Sequence, residues 1–161
     1  MKLIAVEEKK QIKEIERLAN IIWREHYKSI LSDQQIEYML KNFQSEKVMA
    51  AQMNDGYTYF LINDCENIGY ISYKITENTI FLSKIYILAE HRKKGHGKAV
   101  LEVLKKICVT EKYEKIWLTV NQHNKNTIEA YEKMGFVKDG SQIADIGDGF
   151  FMDDYIYVYI P

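Results

Sequence analysis

The residues best placed by type and spacing to do chemistry stand at 91–104, in the string HRKKGHGKAVLEVL. Four cations, Arg92, Lys93, Lys94 and Lys98, surround Gly95, His96 and Gly97, and an apolar periodic run follows at once. A strand ending near Leu88 therefore feeds a basic, glycine-containing turn that opens a helix. The unpaired N–H groups at a helix N-terminus attract anions, and glycine lets a phosphate approach the backbone closely. Two familiar phosphate loops do not fit. A Walker loop needs Gly at 92 and Ser or Thr at 99, where Arg92 and Ala99 stand. A Rossmann fingerprint built on Gly95 and Gly97 needs a small residue where Val100 stands, and no acidic ribose partner is evident. A solvated strand-to-helix turn would give the same string, so it leaves an anion site and a plain turn both open.

A second stretch decides between them. Residues 121–137 read NQHNKNTIEAYEKMGFV. Asn124, Thr127, Ile128, Tyr131, Lys133, Gly135 and Phe136 follow the pattern Asn-x-x-Ala-Ile-x-x-Tyr-x-Lys-x-Gly-Phe, and RKKGHG follows Arg/Gln-x-x-Gly-x-Gly/Ala. Together, in this order and with a strand between them, the two motifs resemble those of the GNAT family of acetyl-CoA-dependent N-acetyltransferases. The resemblance covers residues 57–160 well, and the N-terminal third only in its layout of a strand followed by helices. Thr127 replaces the usual Ala, and Ala89 stands where many relatives carry Pro; neither change removes a chemical group.

The resemblance implies roles. The backbone of Ile85, Tyr86 and Ile87 would pair with the pantetheine arm of acetyl-CoA, the N–H groups of residues 92–97 would meet its pyrophosphate, and Lys98 would add charge beside Arg92, Lys93 and Lys94. Asn124 would contact the cofactor arm, and a backbone N–H near Ile87 would stabilise the oxyanion of acyl transfer. Tyr131 would protonate the leaving thiolate. A phenol of pKa about 10 serves a thiolate of about 8.5 only when well positioned. A core tyrosine is the ordinary reading on an amphipathic helix in a chain with 12 Tyr, and the motif turns that reading toward function. No metal site is read. Glu25, His26, Glu90 and His123 are candidates for a general base, with an exposed loop histidine as the plainer reading of His123 and a core-edge histidine as that of His26.

The acceptor is less constrained. ADIGDGFFMDD, residues 144–154, holds Asp145, Asp148, Asp153 and Asp154, which would draw a cationic amine toward an acceptor channel. An acidic solvated turn protecting an edge strand is the competing reading. The early WREHYKSILSDQQIEYML stretch resembles family members that acetylate polyamines. Other small amines, aminoglycosides and protein N-termini stay open as acceptors. So does a catalytically silent acyl-CoA-binding sensor of the same fold.

These residues need elements to hold them. Ile12, Ile15, Leu18, Ala19 and Ile22 recur at helical spacing after a short strand, KLIAV; Ser32 with Gln35 predicts a capping box, and Ser45 opens a third helical stretch. YTYFLIN, NIGYISYKIT and TIFLSKIYIL then read as three strands in hairpins. A helix over about 97–111, the strand KIWLTV, a helix over about 124–134 and a final strand pair complete the order β-α-α-α-β-β-β-α-β-α-β-β. In the last strand Tyr155, Tyr157 and Tyr159 alternate with Ile156, Val158 and Ile160, which predicts one buried and one amphipathic face. The crossover from Ile85 to Val120 predicts a parallel pair. The expected class is α/β: a mixed, largely antiparallel sheet of GNAT type with a central parallel strand pair and helices on both faces.

The chain's 161 residues suit a single domain spanning 1–161. With 22 Lys plus Arg against 23 Asp plus Glu, the net charge of −1 argues against nucleic acid as a partner. No membrane span or secretory leader is read, and Cys65 and Cys108 suit reduced thiols, so a cytoplasmic enzyme is the expectation. The tyrosine-rich terminal strands suggest a homodimer, and a small-molecule amine is the expected partner.

Overall fold

The computed structural model describes all residues, Met1–Pro161. Its elements follow the expected order: β1 Lys2–Ala5, α1 Lys9–His26, α2 Asp33–Phe43, α3 Glu46–Asn54, β2 Tyr57–Asp64, β3 Glu66–Thr76, β4 Thr79–Ile87, a 3₁₀ turn Ala89–His91, α4 His96–Thr110, β5 Lys115–Asn121, α5 Lys125–Lys133, β6 Val137–Gly147 and β7 Phe150–Tyr159. The strands form a mixed sheet in the order β1-β2-β3-β4-β5-β7-β6. Each pairing described is antiparallel except β4 with β5. Two compact units make up the chain: Met1–Lys74 with Lys84–Leu101, and Ile75–Ser83 with Glu102–Pro161.

In the first unit α1 buries Ile12, Ile15, Leu18, Ala19, Ile22 and Trp23, the stripe its spacing dictates. Fully burying an Ile or Leu is worth about 1.5–3 kcal/mol, so this stripe outweighs the exposed Arg24–Glu37 pair that also ties α1 to α2. The Ser32 hydroxyl accepts from the Gln35 N–H at 3.1 Å and starts α2. A complete capping box also lies at α1, where the Gln11 side chain accepts from the Glu8 N–H at 2.8 Å and the Glu8 carboxylate takes the Gln11 N–H. Here Glu stands at the N-cap, outside the usual Ser/Thr signature.

In the second unit β5 runs between the first half of β4 and β7. The parallel ladder joins Thr79 to Lys115, Ile80 to Ile116 and Phe81 to Trp117, and the Phe81 and Trp117 rings stack at 4.3 Å. Ile85–Ile87 lie past the last of these pairs. The expected crossover is therefore present, with its pairing at the N-terminal ends of both strands. Tyr157 and Val158, neighbours in β7, are both buried. They point to opposite faces of the strand, which pairs with β5 and β6, while Ile160 beyond its end is exposed. Asp148 (φ 53°) and Gly149 (φ 78°) close the β6–β7 hairpin with two left-handed residues, the chemistry of a tight turn.

Candidate active site

The first unit gathers residues 85–98. β4 approaches β3 so closely at Gly69 that a Cβ there would stand 2.2 Å from the Tyr86 carbonyl oxygen. This is a position only glycine can occupy. The Leu88 N–H donates to the Ile68 carbonyl at 2.8 Å and closes the pairing. The chain then turns: the His91 N–H donates to Leu88 O at 2.9 Å and the Arg92 N–H to Ala89 O at 3.2 Å. Lys93 (φ 59°) and Gly95 (φ 87°) take left-handed conformations, and α4 begins at His96.

The N–H groups that follow have no partner in the chain until Ala99, whose N–H donates to Gly95 O at 3.0 Å. Lys93, Lys94, Gly95, His96, Gly97 and Lys98 thus offer consecutive donors at the start of a 15-residue helix. Lys93, Lys94 and Lys98 are exposed around them. The Arg92 N–H is already committed, so the open row starts one residue later than expected. The Arg92 side chain is committed too: Nε donates to Ile87 O and Nη2 to Glu25 Oε2, each at 2.8 Å. Arg92 holds the loop to the end of β4 and to α1.

The histidines of the loop face the β2–β3 turn. His91 Nε2 lies 3.6 Å from Glu66 Oε1, and His96 Nε2 lies 3.6 Å from Asp64 Oδ2. Beside β4, Trp23, Tyr27, Tyr70 and Tyr86 form an aromatic cluster, with ring centroids 4.5 Å apart for Trp23–Tyr27 and 5.4 Å for Trp23–Tyr86 and Tyr70–Tyr86. The Tyr27 and Tyr86 hydroxyls are 3.4 Å apart. Burial drives the Tyr70 phenol far above its ordinary pKa, so it stays protonated. Sequence reading missed this cluster because its four members come from three elements.

The second unit holds Asn124 and Tyr131. Asn124 is the N-cap residue of α5, yet its side chain makes no cap hydrogen bond and is buried. Tyr131 is 8% exposed, and its ring lies 5.5 Å from that of Phe136. The Met134 and Phe136 N–H groups both donate to its carbonyl at 3.0 Å. Gly135, at φ 85°, makes that reversal possible. This explains the Tyr-x-Lys-x-Gly-Phe spacing: the helix end and the Phe136 ring fix Tyr131.

The four base candidates differ. Glu25 is paired with Arg92, Glu90 and His123 are exposed, and His26 sits edge-on to Tyr27 at 4.8 Å. In the acidic stretch, Asp145 and Asp148 are exposed at the hairpin, as a solvated turn requires. Asp154 departs from that reading: it lies inside β7, 7% exposed, paired with Asn121 of β5 and Gln142 of β6.

Residues 15–136 match the Acetyltransferase (GNAT) family. Three solved structures share the fold. The PaiA N-acetyltransferase of Thermoplasma acidophilum, in complex with coenzyme A, is 23% identical, with TM-score 0.76 and 100% of each chain covered. A GCN5-related N-acetyltransferase of Rhodopseudomonas palustris is 12% identical, with TM-score 0.83 over 99% of this chain and 95% of that one. The spermidine/spermine N-acetyltransferase SpeG of Vibrio cholerae is 19% identical, with TM-score 0.70 over 99% and 92%. With the open N–H row at α4 and the family match over most of its length, the chain belongs to the GNAT family and is an N-acetyltransferase whose co-substrate is acetyl-CoA.

Proposed function

We propose that this enzyme, a single domain over residues 1–161, acetylates a primary amine of a small, cationic molecule by direct attack of the amine on the thioester. The row of open N–H groups from Lys93 to Lys98 carries the donor half of this reading, since it presents the geometry a pyrophosphate needs. Past the last pair of the parallel ladder, the backbone of Ile85–Ile87 supports a strand-like partner such as the pantetheine arm. A backbone N–H near Ile87 receives the developing oxyanion, and Tyr131 returns a proton to the thiolate.

The acceptor half rests on the acid-rich β6–β7 hairpin and on the likeness to SpeG, described as a spermidine/spermine acetyltransferase. Exposed Val137 and Ile143 on the edge strand β6, with Phe151 in β7, support a homodimer through this hairpin. Free Cys65 and Cys108 suit a reducing, cytoplasmic setting. No helix is long and apolar enough to cross a membrane.

The test is thiol release from acetyl-CoA across spermidine, spermine, an aminoglycoside and an N-terminal peptide. Turnover highest with a small polycation supports the reading. Preference for the peptide overturns the small-molecule acceptor, and tight acetyl-CoA binding with no turnover on any amine favours a silent sensor.

A further inference from the structure

We infer that Asp154 is the residue that receives the acceptor's ammonium group and takes its proton, an inference that rests on the amine-acetylating reading above. Asp154 lies at the carboxyl end of β5, paired with Asn121, the last residue of that strand. Ligands of sheets with parallel strands gather at strand carboxyl ends. From Asn121 the chain passes through Gln122 and His123 to Asn124, and α5 carries Tyr131 two turns further on. Asn121 Oδ1 accepts from the His123 N–H at 2.9 Å, and Asn121 O from the Asn124 N–H at 2.9 Å, so the turn leading to α5 is fixed from the residue that faces Asp154.

The carboxyl itself is unusual. Its Oδ1 is fully buried and has no hydrogen-bond partner. A buried carboxylate oxygen with no donor is costly, and such an atom calls for an explanation. The pairing supplies none: the residues opposite Asp154 on either side, Asn121 and Gln142, are amides, and neither donates to Oδ1. The ionisable group that acts on it is Asp153, next in the chain. Asp153 is satisfied by the Gln122 side-chain amide, and the Gln122 N–H donates to Asp153 O at 3.1 Å. Two adjacent carboxylates are thus treated oppositely: Asp153 is hydrogen-bonded, and Asp154 keeps one buried oxygen without a donor.

Burial first, and the Asp153 carboxylate second, push Asp154 up to about 6. A carboxyl so placed is ionised at neutral pH and gains more than an ordinary one from an incoming cation. The ammonium binds against Asp154 and gives up one proton to its carboxylate; the freed lone pair forms the C–N bond at the thioester carbonyl. The C–S bond then breaks, the thiolate takes the Tyr131 proton, and the proton left on the new amide nitrogen restores Tyr131. Asp154 releases its proton to water.

Asp154→Asn keeps the volume and removes the charge. With spermidine as the acceptor, kcat/KM at pH 7.5 should fall about 100-fold, in the range of a lost acid–base group. The wild-type rise of kcat/KM through about pH 6 should disappear, and acetyl-CoA affinity should stay within twofold. The variant should melt no lower than wild type at pH 8, since a purely structural Asp154 would cost stability instead. Unchanged kcat/KM and an unchanged acid limb overturn the assignment. If acetyl-CoA binds and no amine is acetylated, the amine-acetylating reading is what fails. Calorimetric binding of spermidine in the presence of coenzyme A then decides Asp154 separately: binding lost in the Asn variant supports it as the ammonium site, and equal binding in both proteins overturns it.

Discussion

Arg92 Nε donates a 2.8 Å hydrogen bond to the carbonyl oxygen of Ile87, joining the loop before α4 to the last residue of β4. Four residues of turn lie between them, and the same guanidinium reaches Glu25 on α1 at 2.8 Å. Arg92 therefore braces the loop before α4, while Lys93, Lys94 and Lys98 stand exposed around it.

Removing this brace should loosen the loop. Arg92→Ala is expected to weaken acetyl-CoA binding about tenfold or more, since a hydrogen bond to a charged group is worth about 1.5–3 kcal/mol. Arg92→Lys should recover little of it, because an ammonium lacks the planar fork that reaches two acceptors at once. Isothermal titration with acetyl-CoA checks both variants.

Gly69→Ala tests how closely β3 must approach β4. The new methyl would meet the Tyr86 carbonyl oxygen at 2.2 Å and Ile87 Cα at 3.0 Å, and all of these are backbone atoms that cannot swing aside. The strand carrying Ile85–Ile87 must shift, at a cost of about 1–3 kcal/mol or more. A lowered melting temperature together with weakened acetyl-CoA binding is the expected result. Gly97→Ala is the control for stability, since its Cβ would meet only Ile87 Cδ1, at an ordinary 3.7 Å.

Tyr131→Phe keeps the ring against Phe136 and removes the hydroxyl. The expected result is kcat lowered about 100-fold with acetyl-CoA affinity within twofold, the signature of a group that acts in the transition state. Steady-state rates beside direct cofactor binding measure the split.

Lys84 gives a stability prediction with a definite sign. It is 5% exposed, its ammonium donates to Gln52 Oε1 at 2.8 Å, and burial pushes it down to about 8. The folded state thus holds this proton less tightly than the unfolded chain, whose lysine titrates near 10.5. The stability associated with neutral Lys84 is present above about pH 10.5 and is lost as pH falls through about 8. At pH 7 the buried charge costs up to about 3 kcal/mol, the free-energy equivalent of that displacement. Lys84→Met should therefore raise stability at pH 7 and flatten the rise between pH 8 and 10.5, measured by urea denaturation across that range. The Gln52 oxygen keeps its other donor, the Tyr59 hydroxyl.

Local signals carried the fold. The α1 stripe, the strand alternation and the Gly-Phe ending of α5 depend on neighbours in sequence, and each element appeared in its expected order. What depended on tertiary pairing was less legible. The ladder between β4 and β5 stops at Phe81–Trp117, a limit that no periodicity encodes. The basic glycine turn before α4 was legible because its glycines and cations are contiguous, whereas the engagement of Arg92 with Glu25, 67 residues away, was not. The acidic stretch shows the same division. Asp145 and Asp148 are the solvated turn that composition suggests, but Asp154, six residues on from Asp148 and inside β7, is buried, which composition does not encode.

The most direct measurement is mass spectrometry of the products formed from acetyl-CoA labelled in the acetyl group and spermidine. The account predicts the label on a spermidine nitrogen, with one molecule of free coenzyme A thiol released for each acetyl group transferred. Acetyl-CoA that binds at the Lys93–Lys98 loop but stays intact with spermidine and with every other amine offered would contradict it.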